Sequence, residues 1–147
     1  MDPLEDLADR IREQIPLTAH LGVRLAALEE TSLCMEAPLE PNINDKGTMF
    51  AGSQAALLAL GGWALTTLLG EAECGRLDVL AVRSQLQYLA PLAGPADIRV
   101  SAAEEDVAAF RRRLNERGRA RLTIQARAIG PDDVEAARYD GEYLARR

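Results

Sequence analysis

Between Thr48 and Gly70 the chain reads TMFAGSQAALLALGGWALTTLLG, without one charged side chain. A helix of that length can cross a bilayer, so the segment is either inserted in lipid or enclosed by the rest of the protein. Ser53, Gln54, Thr66, Thr67 and the Gly61-Gly62 pair speak against lipid, and the strand-like, charge-rich segments downstream offer no second span to pair with it. The reading is therefore a buried helix over about 51–70. Its small residues Ala55, Ala56, Ala59, Gly61 and Gly62 imply close approach by strands or by a second helix. Trp63, with Leu57, Leu60 and Leu68, packs it against a sheet.

The flanking segments supply the enclosure. Residues 1–20 form an amino-terminal helix and lead-in: Asp2 is placed to cap, Pro3 stands at the first position, and Leu4, Leu7, Ala8 and Ile11 share a face before Ile15-Pro16 ends the helix. Val23–Leu28 and Leu33–Ala37 read as a hairpin about EETS. After the long helix, Val82, Ser84, Leu86 and Tyr88 alternate with Arg83, Gln85 and Gln87, which predicts a half-buried strand. Ile98, Val100 and Ala102 point inward on another. Val107, Phe110 and Leu114 have helical spacing before Gly118, and Ala120 to Ala128 alternate in the clearest strand of the chain. A last strand runs from about Val134 to Leu144. The order predicts an α+β fold, one curved antiparallel sheet wrapped around the central helix, as a single domain over 1–147.

Charge narrows the function. A net charge of −6 argues against a general nucleic-acid partner, which requires a basic face to displace counterions. Cys34 and Cys74 lack metal-site spacing and read as two small, buried, reduced cytosolic thiols. MDPLEDLADR has none of the order of a secretory signal. The expectation is a cytoplasmic protein with no metal and no membrane association.

The pattern Asn44-x-x-Gly47-Thr48-x-Phe50-Ala51-Gly52-Ser53, leading into an Ala/Leu-rich helix with Gly62-Trp63, resembles the YiiD C-terminal-type thioesterases of the hotdog superfamily. The resemblance spans about 15–143 and is strongest from Asn42 to Trp63. It implies a hotdog fold, a homodimer or dimer of dimers, and acyl thioesters of coenzyme A or acyl carrier protein bound at the dimer interface, the coenzyme A moiety being part of the substrate rather than a cofactor. The residues are compatible with that chemistry. A helix start presents unpaired N–H groups and the positive end of the macrodipole, which can polarise a thioester carbonyl. The resemblance places Asn44 and the Gly52 backbone at that carbonyl, with Ser53 and Asp45 as further catalytic candidates. Asn42, Gly47, Thr48, Met49, Phe50 and Ala51 are the expected substrate-contact residues around them. Without the resemblance the same loop reads as a turn of solvated residues with Ser53 capping a core helix.

The sequence also departs from the pattern. Phenylacetyl-CoA-type hotdog thioesterases have a histidine where Phe50 stands and a helix carboxylate whose position falls on Ala59; no Asp or Glu occurs between Asp45 and Glu71. Hydrolysis then requires Asp45, Asp78, or a water held by Asn44 and Ser53. Hotdog dehydration resembles a different site, with a helix carboxylate and a histidine. The one histidine, His20, precedes the first strand, and no nucleophile elbow pairs it with Ser53. Arg111, Arg112, Arg113, Arg117, Arg119 and Arg121 form the one basic concentration; Arg119 and Arg121, on the polar face of one strand, are the pair expected to hold phosphates or an acidic carrier, against the alternative of a solvated face. Three functions stay open: an acyl thioester hydrolase, a binding module that has lost the carboxylate, and a structural hotdog dimer.

Overall fold

The computed structural model describes residues 2–147. The chain begins with helix α1 (Pro3–Gln14), the one-turn α2 (Leu17–Leu21) and the hairpin β1 (Arg24–Leu28) and β2 (Ser32–Ala37). Helix α3 (Ala51–Cys74) follows a loop, and then come β3 (Asp78–Tyr88), β4 (Ala96–Ser101), α4 (Glu104–Arg117), β5 (Arg119–Ile129) and β6 (Glu135–Arg146). The strands make one six-stranded antiparallel sheet in the order β1-β2-β4-β5-β6-β3. This is the predicted α+β arrangement. The inward alternation of β5 is as read: Ala120, Leu122, Ile124, Ala126 and Ala128 are all buried.

Helix α3 lies on the inner face of the sheet, with Leu57, Leu58, Ala64 and Leu65 fully enclosed. It is a core helix, although its length and composition would suit a bilayer. Two glycines let the sheet approach it. A Cβ on Gly61 would sit 2.6 Å from Val100 on β4, and one on Gly62 would sit 2.5 Å from the Tyr143 ring on β6. Glycine at these positions is required by volume. At the far end of α3, Arg10 of α1 donates to both Glu71 carboxylate oxygens, at 2.7 and 3.0 Å, fixing α1 against the helix.

A chain of hydroxyls runs through the core beneath β6. Tyr143 Oη donates to the Ala59 carbonyl at 2.8 Å, Tyr139 and Tyr143 hydroxyls are hydrogen-bonded to each other, and Tyr139 is 2.8 Å from Ser84 Oγ on β3. The carbonyl can only accept, so the chain has one direction: Ser84 donates to Tyr139, Tyr139 to Tyr143, and Tyr143 to Ala59. Burial raises the Tyr143 hydroxyl far above the usual tyrosine range, with the Tyr139 bond adding to it, so Tyr143 keeps its proton as the last donor of the chain. It ends on an amide carbonyl and cannot pass a proton onward. Its role is to fix β3, β6 and α3 relative to one another.

Three details differ from the sequence reading. Ser84 and Leu86 face inward as predicted, but the strand is not half-buried: Val82, where the register against β6 shifts between Ala81 and Arg83, is 43% exposed and Tyr88 is 52% exposed, and β3 is an edge strand with pairing on the β6 side alone. Asp2 occupies the N-cap of α1 without a side-chain hydrogen bond, so Pro3 and the acidic first turn start that helix. Cys34 and Cys74 are free thiols, half-buried rather than enclosed.

Candidate functional site

The loop before α3 is built around Asn44. Its Oδ1 accepts the backbone N–H of Lys46 at 2.8 Å and of Thr48 at 3.1 Å, while its Nδ2 donates to Thr48 Oγ1 at 2.9 Å and reaches the Met49 carbonyl at 3.5 Å. Gly47, with φ +80°, supplies the left-handed residue that this turn requires. Ile43 and Met49 bridge across the loop, Phe50 N–H donates to the Asn42 carbonyl at 2.7 Å, and Met49 N–H donates to Leu92. These bonds deliver Phe50 as the N-cap of α3 with extended backbone.

Among the described residues no side chain caps that helix. The first bond of the ladder is donated by Gln54 to the Phe50 carbonyl, so the amides of Ala51, Gly52 and Ser53 precede it as free donors. Their charge is unopposed within the helix, because the first turn has no acidic residue. The Phe50 ring, 55% exposed, lies over Gly52: a Cβ there would be 2.3 Å from Cε2. Ile43 and Tyr88 are exposed beside it, and the Tyr88 hydroxyl donates to the Ala51 carbonyl at 3.0 Å, joining the end of β3 to the helix start. The arrangement is an open set of amide donors bordered by apolar surface. It suits a polarised carbonyl attached to an acyl chain.

Several candidate residues have structural posts instead. Asn42 is 2% exposed and donates to the Leu21 and Pro38 carbonyls, holding the loop to the end of α2; it is not placed to touch a substrate in this chain. Met49 is also buried, its side chain in the core. The Asn44 amide is engaged within the loop, so it organises the helix start rather than offering a free donor. Ser53 stands in the first turn of α3 and is not its cap; its hydroxyl has no hydrogen bond among the described residues. Asp45 is exposed and paired with neighbouring Lys46, and Asp78 is exposed 4.0 Å from Arg146. His20 is exposed at the end of α2. Ala59, half-buried, places its carbonyl under the Tyr143 hydroxyl.

Two residues at the site carry little sequence signal. Gln54, 4% exposed, donates Nε2 to the Met49 carbonyl at 3.2 Å, which ties the loop to the helix, while its Oε1 is buried without a partner. Asn42 Oδ1, in the loop before the helix, is likewise buried without a partner among the described residues. Tyr88 joins the site through folding alone. Arg119 and Arg121 lie at the opposite end of the molecule, on the outer face of β5, where Arg121 pairs with Glu142 at 3.2 Å.

The family model described as "Putative thioesterase (yiiD_Cterm)" matches residues 4–147. The chain belongs to this family. Among solved structures, it superposes on a "putative thioesterase" from Shewanella oneidensis with a TM-score of 0.89, at 26% identity over 100% of both chains. A protein of unknown function from Chlorobaculum tepidum has the same TM-score at 24% identity, covering 97% of this chain and 93% of that one. A Haemophilus influenzae thioesterase matches at TM-score 0.74 and 15% identity, over 97% and 89% of the two chains. The fold of this YiiD C-terminal family member is thus the hotdog arrangement of the thioesterase-type structures.

Proposed function

We propose that the protein hydrolyses acyl thioesters of coenzyme A or of an acyl carrier protein, at a site completed by a second copy of the chain. The observation that carries this reading is the uncapped start of α3, delivered by the Asn44 loop onto an exposed apolar surface. The carbonyl oxygen faces the amides of Ala51, Gly52 and Ser53, and the acyl chain lies along Phe50, Ile43 and Tyr88. Water adds to the carbonyl carbon, the developing oxyanion is held by the amides, and the C–S bond breaks as the thiol leaves with a proton. Thr48 Oγ1 accepts from Asn44, leaving its own hydrogen free, so Thr48 and Ser53 are the hydroxyls available to orient that water. Asp45 is the loop's carboxylate and the group assigned to take its proton. Ala59 favours a second reading, an acyl-thioester binding module without turnover.

The dimer rests on β3. Among the described residues its outer edge is unpaired over 11 residues, and Leu80, Val82 and Tyr88 are exposed along it. An edge of that length without proline or lysine is a template for a further strand. A two-fold axis across β3 pairs it antiparallel with its copy and covers these side chains. Free thiols at Cys34 and Cys74 support a cytoplasmic setting.

Val82→Lys is the test of the assembly. It is expected to give a folded monomer by analytical ultracentrifugation, with thiol release from acyl-CoA reduced at least about tenfold, since each site loses its second wall. Full turnover in a monomer would remove the second copy from the site.

A further inference from the structure

Eight of the protein's arginines line two clefts, in a chain of net charge −6. Arg113 and Arg117 on α4 and Arg119 and Arg121 on β5 line a groove of about 320 Å³. Like charges are set side by side in it. Arg113 and Arg117 are one helical turn apart, Arg119 and Arg121 share one strand face, and Arg119 stands directly opposite Arg146 on β6. Such placements destabilise a helix or a sheet unless an anion offsets them. Among the described residues, Arg113, Arg117 and Arg119 have no carboxylate in ion-pair contact, whereas Arg121 has Glu142 and Arg146 has only Asp78 at 4.0 Å.

The groove continues toward β3. The Arg147 guanidinium lies over Gly118, the left-handed turn between α4 and β5, with 3.4 Å between its Nε and a Cβ built there. Arg146 and Arg147, with Arg76, then border a second cleft of about 510 Å³ whose other walls include Trp63, Asp78 and Leu80. Asp78 is the first residue of β3, and Tyr88, bonded to the helix start, is its last. Within one chain the arginines and the helix start are therefore separated by the length of β3, roughly 35 Å for a strand of 11 residues. Antiparallel pairing of β3 with its copy brings the Tyr88 end of one subunit against the Asp78 end of the other.

We propose that this arginine groove binds the phosphates of a phosphopantetheine-bearing thioester and serves the helix start of the partner subunit. The inference rests on the thioesterase reading and on the β3 dimer. Guanidinium groups suit phosphate oxygens bidentately, and the Trp63 cleft lies between the phosphates and the thioester, where the pantetheine arm passes. Free coenzyme A and a carrier-bound arm present the same phosphate chemistry.

Calorimetry on the dimer with three probes tests the groove: coenzyme A, a phosphopantetheinylated acidic carrier, and pantetheine, which has no phosphate. Arg113→Glu with Arg119→Glu is expected to weaken phosphate-bearing probes about tenfold or more at low salt and to flatten the salt dependence, with pantetheine unchanged. Arg113→Gln with Arg119→Gln, which adds no repulsive charge, is expected to move affinity the same way. A loss with coenzyme A assigns the groove to the free coenzyme, and a loss with the carrier alone assigns it to the carrier. Equal affinity for both at low salt overturns the proposal. Mixed dimers test its trans geometry. An arginine-groove variant combined with an Asn44→Ala variant is expected to recover one working site per heterodimer, whereas failure to recover places the groove in cis and overturns the pairing. Acyl-CoA turnover with an unchanged KM in the arginine variants would leave the hydrolase standing and remove the groove from it. Arginine-dependent binding without thiol release would do the reverse.

Discussion

Gly62→Ala is expected to lower the stability of the fold by about 3 kcal/mol, as overpacking of an enclosed site combined with a lost buried hydrogen bond. In an unpacked helix interior the same change stabilises by up to about 1 kcal/mol, so the sign of the effect is diagnostic. The new Cβ would lie 2.5 Å from Tyr143 Cε2 and 2.6 Å from its hydroxyl. The ring cannot yield freely, because its hydroxyl is held by Ala59 and Tyr139 and the residue is 1% exposed. Chemical denaturation reads the shift in midpoint. Tyr143→Leu is expected to relieve most of the alanine's cost in the double variant, since it removes the atoms the alanine meets. A neutral or stabilising Gly62→Ala would contradict the packing of Tyr143 on α3, and with it the hydroxyl chain from Ser84.

Asn44→Ala carries the largest expected effect on activity among side-chain truncations, a fall in kcat/KM of about 10², the order produced when a reacting group is misplaced by about 1 Å. Asn44 is a positioning residue. Its Oδ1 holds the Lys46 and Thr48 amides, and its Nδ2 holds Thr48 Oγ1 and reaches the Met49 carbonyl, so the loop that presents Phe50 and the free amides loses both halves of its brace. Asn44→Asp separates these halves, because a carboxylate still accepts from the two amides but cannot donate. Partial activity is expected for the aspartate variant, with the loss in kcat rather than KM if Thr48 orients water. Unchanged kcat/KM in Asn44→Ala would detach the loop from the site.

The fold was legible where periodicity and burial are set within the chain. Ala120 to Ala128 alternate because one face of β5 meets α3 and the core, and Val107, Phe110 and Leu114 repeat because α4 covers the same layer. The β3 reading went astray for a physical reason. Its alternation of Val82, Ser84, Leu86 and Tyr88 is broken by the register shift between Ala81 and Arg83, and an edge strand has a neighbour on one side alone, so of these four only Leu86 packs on the core.

The site was legible only as a loop and a helix start. Asn42 and Asn44 are two positions apart and of one residue type, yet one braces the end of α2 and the other shapes the turn; only the tertiary path of Leu21 and Pro38 distinguishes them. Tyr139 and Tyr143 carried no signal, because their meeting with Ser84 and Ala59 depends on the register of β6 against β3 and on the depth of α3. Gln54 stood out only as a polar residue in an apolar run, and its open acceptor becomes visible once Met49 is placed.

The most direct measurement is thiol release by the purified protein from short, medium, long and aromatic acyl-CoA, with Ala51→Pro beside it. Proline suits this position: Ala51 is the first residue of α3, and Phe50 before it has ψ 134°, the extended backbone a following proline favours. The substitution deletes one of the free amides and leaves the fold intact. The account predicts turnover in the native protein and a fall of about 10² or more in kcat for the variant, the usual cost of one oxyanion donor. Absence of thiol release from every substrate, or equal turnover by Ala51→Pro, would contradict it.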